Sequence, residues 1–242
     1  MYLETLGSGP RVVLVHGSVR GPAAWSPQRV LADAYTLVLV ARPGLPPSPP
    51  VGEVDFEEHG RLLAGVLEPG DHLVGHSYGG VVCLYAAAAR PGLRSLTLAE
   101  PPAFGLAGPQ PETDAFRRHW AEGPHEPRAF LAEFLRLVGL ELELPDPLPP
   151  ELEQGARTLQ VERGPWEADP PLEALAAAPY PKLVVSGGHS ALFKAVCDEL
   201  ERRLGAERAV LPGAGHALQR APGFTERLRD FLDRAETGVA PY

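Results

Sequence analysis

The sequence predicts an α/β protein: a mostly parallel sheet sandwiched by helices, with a helical segment inserted between two late strands. Three observations carry this expectation. Short apolar runs alternate with helical periodicity from Arg11 to Ala99. The same alternation resumes at Leu183 and continues to the C-terminal region. Between the two blocks the strand signals vanish and only helical stretches remain. A length of 242 residues fits one such domain and allows a substantial core.

Taken in order, Arg11–Val15 is a short apolar run ending at His16-Gly17, and it reads as a buried strand. Tyr35–Val40 is a second strand, ending at Ala41-Arg42-Pro43-Gly44. Residues 46–50 must be loop, because proline blocks both helix and ladder. Val54–Leu67 has helical spacing at Phe56, Leu62, Leu63, Val66 and Leu67, and stops at Pro69-Gly70. His72–Gly75 is a short strand, Gly80–Arg90 an alanine-rich helix, and Ser95–Ala99 the next strand. From Pro101 to about Pro179, helices are expected near Asp114–Trp120, Arg128–Val138 and Pro150–Arg163. Phe116, Trp120, Phe130, Phe134 and Trp166 give this stretch too much buriable surface for a disordered linker. A strand at Leu183–Ser186, a helix over Ala191–Leu204, a strand at Arg208–Leu211 and a helix over Phe224–Ala235 complete the reading. The expected division is a core of 1–102 with 179–242, and an insertion of 103–178.

Composition excludes several functions. A net charge of −9 argues against nucleic acid as a partner. No apolar run reaches membrane-spanning length. Met1–Thr5 carries neither a basic nor an apolar leader region, so the cytoplasm is the expected address. Cys83 and Cys197 both sit in apolar helical stretches and read as buried thiols in a reduced compartment. No cysteine spacing suits a metal, and no cofactor motif is present. The expected partner is a small-molecule substrate, with the oligomeric state left open.

The motif with chemical content is Gly75-His76-Ser77-Tyr78-Gly79. A bare Gly-x-Ser-x-Gly is weak evidence. Here it joins a strand directly to a helix, which gives it weight. Such a turn forces its central residue into a strained conformation, so small neighbours are needed, and Gly75, Gly79 and Gly80 supply them. The helix start beneath Ser77 favours developing negative charge.

With these residues in view, the chain resembles the α/β-hydrolase superfamily over essentially its whole length. The matching stretches are His16-Gly17, Arg42-Pro43-Gly44, the elbow at Ser77 and Gly213-Ala214-Gly215-His216, all in the family's order. The insertion after Ser95–Ala99 resembles a cap domain. The resemblance implies Ser77 as nucleophile and His216, in a glycine-flanked loop, as its base. It also implies an oxyanion hole built from the backbone N–H of Tyr78 and of Ser18, or of Val19 beside it. Trp25, downstream in the same loop, is expected to pack rather than wall the pocket.

The third member departs from the family pattern. Relatives usually place an aspartate where this chain reads Ser186-Gly187-Gly188-His189-Ser190. Some members take the acid from the end of the preceding strand instead, which here is Glu100. Other acids considered are Asp198, Glu167 and Asp169, or a Ser–His pair with no acid. The sequence contains no asparagine, so none can substitute.

The expected activity is cleavage of carboxylic esters or related acyl bonds of a small apolar substrate through an acyl-enzyme. Phe104, Phe116, Trp120, Phe130, Phe134 and Trp166 are the cap's aromatics, of which two or three are expected at the pocket. Two other readings stay open. One is cofactor-free haloperoxidase, perhydrolase or C–C bond hydrolase chemistry on the same residues. The other is a hydrolase-fold binding protein with little activity.

Overall fold

The computed structural model describes residues 1–238. Seven strands form one sheet: β1 (Tyr2–Leu6), β2 (Arg11–Val15), β3 (Thr36–Ala41), β4 (His72–His76), β5 (Ser95–Ala99), β6 (Lys182–Ser186) and β7 (Glu207–Val210). Their spatial order is β1-β3-β2-β4-β5-β6-β7. Every pairing is parallel except β1 with β3, which runs antiparallel from Tyr2↔Ala41 to Leu6↔Leu37. β1 has no counterpart among the expected strands. Its burial pattern is mostly exposed, so it lacks the apolar run that marks the others.

The inner strands are buried on both faces, and the pleat divides their side chains between two cores. Val13, Val15, Val38, Val40, Leu96 and Leu98 face one side. Against them pack residues of α1 (Phe56–Ala64), α2 (Tyr78–Ala89), α6 (Leu172–Ala177) and α7 (Ala191–Leu204). Val12, Leu14, Leu37, Leu39, Leu183 and Val185 face the other side. There they meet Trp25 and Leu31 of the 3₁₀ segment Pro22–Asp33, and Phe224, Leu228, Phe231 and Leu232 of α8 (Phe224–Thr237). Trp25 is fully buried in that core, as packing requires.

Between β5 and β6 lie α3 (Pro111–Glu122), α4 (Pro127–Leu137) and α5 (Pro150–Gln160), with α6 after them. The three sequence-expected helices are therefore present. α6 packs on α2 and α7 rather than on the other three. α4 and α5 build a small core of their own from Phe130, Leu131, Ala156 and Leu159, together with Val19 from the loop after β2. α5 approaches that loop very closely: a Cβ at Gly155 would stand 2.1 Å from the Val19 carbonyl oxygen. Gln154 and Thr158 of α5 also donate to the Gly44 carbonyl at 2.9 and 2.6 Å. The insertion is thus seated on the loops after β2 and β3, at the carboxyl edge of the sheet.

Candidate active site

Parallel strands deliver their C-terminal loops to one edge, and the sequence-expected residues meet there. Ser77 leaves β4 and caps α2 with φ 52° and ψ −131°, a conformation that L-residues rarely adopt. The residues two positions to either side must be glycine. A Cβ at Gly79 would lie 2.3 Å from the His16 carbonyl oxygen, and one at Gly75 would lie 2.7 Å from Cys83 Sγ. Within this tight turn the Ser77 hydroxyl donates to His216 Nε2 at 2.8 Å.

His216 Nδ1 donates to Glu100 Oε2 at 2.9 Å. Glu100 follows β5 directly and also holds a left-handed backbone, φ 44°. It is fully buried. Its other oxygen, Oε1, accepts the Gly187 amide at 2.7 Å and lies 3.4 Å from His189 Nδ1. Burial by itself would raise the Glu100 pKa. The nearby His189 ring, together with the hydrogen bonds from His216 and Gly187, outweighs burial and holds it at about 2. The carboxylate is therefore charged beneath the imidazole, the arrangement that orients a base and stabilises its protonated form.

The remaining candidate acids are elsewhere. Asp198 pairs with Lys194, and Glu167 with Arg163. Ser190, in the segment where the family resemblance implies an aspartate, caps α7 by accepting from the Phe193 amide. An aspartate would cap a helix equally well, so the cap does not explain the serine. Phe193, one turn into α7, covers the His216 ring with centroids 4.4 Å apart. Neither Phe193 nor His189 was marked by any motif.

Ser18, Ser77, Tyr78 and His216 border a space of about 20 Å³, with room for about one water-sized group. The Tyr78 amide begins α2 and so has no partner within the helix. The Ser18 hydroxyl is bonded to Glu162, the residue just beyond α5. Val19 next to it has φ 71°, the third strained non-glycine residue of the site.

Glu162 and Arg42 form an ion pair that sequence reading missed. Arg42 Nη2 meets Glu162 Oε1 at 2.8 Å, and both side chains are excluded from water. The same guanidinium donates to the carbonyls of His16 and Gly17, at 3.2 and 2.9 Å, and lies over the Tyr78 ring. Burial raises the Glu162 pKa and Arg42 opposes the rise. The pair ties the insertion to the loop that carries Ser18. Its partners lie 120 residues apart, so no local pattern announces it.

Two further histidines complete the floor. Burial, with His216 adding to it, lowers the His76 pKa to about 3, and its Nε2–H donates to the His216 carbonyl at 2.8 Å. His16 is lowered to about 3 by burial and by Arg42. Its Nδ1–H donates to the Gly17 carbonyl and its Nε2 accepts from the Arg42 amide. Both rings are neutral, and His76 also lines the cavity above Ser77.

On the solvent side, a cavity of about 130 Å³ opens above Ser77. Leu131, Phe134 and Val138 line one wall. Of the aromatics between β5 and β6, Phe116, Trp120 and Phe134 border Ser77's two cavities.

A mostly parallel α/β sheet that carries a serine elbow, a buried histidine and a carboxylate at its carboxyl edge defines an α/β protein of hydrolase type. The chain belongs to the alpha/beta hydrolase family, whose pattern it matches over residues 12–228. Among similar proteins is a pimeloyl-[acyl-carrier protein] methyl ester esterase of Xanthomonas campestris pv. campestris, 29% identical over 96% of this chain and 98% of the relative. The corresponding esterase of Aeromonas hydrophila is 37% identical, but the match spans 42% of each chain. An alpha/beta hydrolase from Sphaerobacter thermophilus superposes with a TM-score of 0.68 at 25% identity, covering 94% of this chain and 95% of that one. A thermophilic esterase from Thermogutta terrifontis has the same fold, with a TM-score of 0.69 at 22% identity and coverage of 97% and 93%.

Proposed function

We propose that this protein is a serine hydrolase that cleaves carboxylic esters, or related acyl bonds, of a small and largely apolar substrate. The observation that carries the reading is the unbroken chain Ser77 Oγ–His216 Nε2, His216 Nδ1–Glu100 Oε2, at 2.8 and 2.9 Å. Ser77 is the nucleophile and attacks the carbonyl carbon. His216 takes its proton, and Glu100 stabilises the imidazolium that results. The amides of Tyr78 and Ser18 receive the oxyanion in the small space beside Ser77. His216 then protonates the departing alcohol, and the acyl group remains on Ser77. Water, deprotonated by His216, attacks the acyl-enzyme and frees the acid. No step calls on a cofactor.

Residues 103–178 act as a cap in this reading, and their apolar wall selects the substrate. The full-length esterase relative supports ester chemistry. A cytoplasmic location suits the two unpaired, buried thiols.

A panel of p-nitrophenyl esters of graded chain length tests the assignment with wild type, Ser77→Ala, His216→Ala and Glu100→Gln. Wild type should hydrolyse the esters and react with a fluorophosphonate at Ser77. The serine and histidine variants should lose turnover. Failure of Ser77 to label in folded protein would overturn the reading in favour of a binding protein of this fold.

A further inference from the structure

The cleft above Ser77 carries the opposite sign to the molecule around it. The chain has 31 acidic and 22 basic side chains, yet no aspartate or glutamate lines the cleft. The loop after α4 reads Leu140-Glu141-Leu142-Glu143-Leu144, and only its leucines face in. Leu142 keeps 60% of its surface exposed, so this apolar wall is open toward solvent. Two arginines complete the lining. Arg20 follows Gly17 by three residues in the loop that seats the insertion. Arg220 follows His216 by four, just past the base.

Both guanidiniums are exposed, and among the described residues neither pairs with a carboxylate. Their neighbours in sequence behave differently: Arg29 pairs with Glu4, Arg227 with Glu207 and Arg229 with Asp33. Glu151 and Arg20 both line a second, adjoining cavity, and no ion pair links the two. An apolar channel with a nucleophile at its floor and two unengaged guanidinium forks in its lining matches a definite ligand chemistry. Cleavage of a purely apolar ester calls for the floor and the walls, but not for the arginines.

We propose that the substrate carries an anionic group at the end of its apolar segment, and that Arg20 and Arg220 bind this group. Guanidinium forks match carboxylate and phosphate oxygens in geometry, and a carboxylate is the group we assign. The ester would lie over Ser77 while its chain runs along Leu140, Leu142 and Leu144. This inference rests on the reading of Ser77 as an ester-cleaving nucleophile. It narrows the substrate class to esters of ω-anionic acyl chains.

The test is a matched series of methyl esters of one medium chain length, with the far end methyl, carboxylate, phosphonate or trimethylammonium. We expect kcat/KM for the anionic members to exceed the neutral one by at least tenfold, with the cationic member slowest. The preference should shrink as salt is raised, since exposed charges are screened. Arg20→Ala with Arg220→Ala should bring the anionic-to-neutral ratio toward one, and Arg20→Lys with Arg220→Lys should keep part of it. A phosphonate preferred over a carboxylate would keep the anion site and reassign the group. Equal rates on neutral and anionic esters in wild type, or a ratio unmoved in the double alanine variant, would overturn the proposal. Should no ester turn over and Ser77 fail to label, the ester-cleaving reading falls by itself. Calorimetric titration of the free dicarboxylic acid into wild type and the double variant then decides the arginine site, where equal binding or none would overturn it.

Discussion

Glu100 stays ionised in full burial because the Gly187 amide and His216 Nδ1 donate to its two oxygens, with His189 Nδ1 3.4 Å away. A carboxyl lowered from 4.5 to about 2 binds more protons in the unfolded chain across that interval. Its contribution to stability is complete above 4.5 and is lost as pH falls through about 2. The stability gap between wild type and Glu100→Gln should therefore narrow as pH drops from above 4.5 toward 2, measured by urea unfolding. At neutral pH the same variant should keep its fold and lose about four orders of magnitude in kcat on a p-nitrophenyl ester, the scale set by removing the charge of a triad acid. Glu100→Asp should lose activity as well, because the shorter side chain withdraws from a bond of 2.9 Å. At the elbow, Gly79→Ala would drive a methyl group into backbone at 2.3 Å, a clash that no rotamer relieves. It should destabilise by about 1–3 kcal/mol or more in thermal or urea unfolding.

At the scale of elements, the candidate site is a joint between loops at the carboxyl edge of the sheet and the segment between β5 and β6. Arg42 and Glu162 close that joint without access to water. Removing one partner strands a buried charge, so Glu162→Ala should destabilise by about 3–5 kcal/mol. Arg42→Met combined with Glu162→Leu should recover much of this loss, because no unpaired charge remains. A double-mutant cycle in urea checks both values. Were the two single variants additive, Arg42 and Glu162 would not act as a pair. The helices α3, α4 and α5 were legible from periodicity and proline boundaries. Their seating was not, because it depends on Gly155 meeting Val19 and on Thr158 meeting Gly44, contacts across more than a hundred residues. The helix expected over Val54–Leu67 is shorter in the structure, Phe56–Ala64. Asp55 caps it through the amides of Glu57 and Glu58, and Val54 is drawn into a bridge with Glu162.

At the scale of the whole molecule, two cores lie on the two faces of one sheet, and each thiol is buried within the first. Burial raises the Cys83 pKa well above its ordinary value and pushes Cys197 up to about 12. Neither should react with a thiol reagent in the folded protein, and both should react in guanidinium chloride. A thiol titration with and without denaturant reads this directly. Labelling of either cysteine in the native state would mean that a core opens on the timescale of the assay.

The sequence by itself determined the α/β class, the order of the inner strands along the chain, the elbow at Ser77 and the place of His216. These are local properties: apolar runs, helical periodicity and glycines demanded by one tight turn. Edge strand β1 escaped because it is mostly exposed and has no apolar run to announce it. Glu100 was one of several acids in the sequence, and Ser190 left the usual position empty. Only the tertiary structure showed which of them lies beside His216, by bringing the ends of β5, β6 and β7 to one edge, so that Glu100, Gly187 and His216 share a hydrogen-bond network. It alone joined Arg42 to Glu162 and set Arg20 and Arg220 in one cleft. Such meetings depend on distances through space between segments far apart in the chain, and no local pattern encodes them.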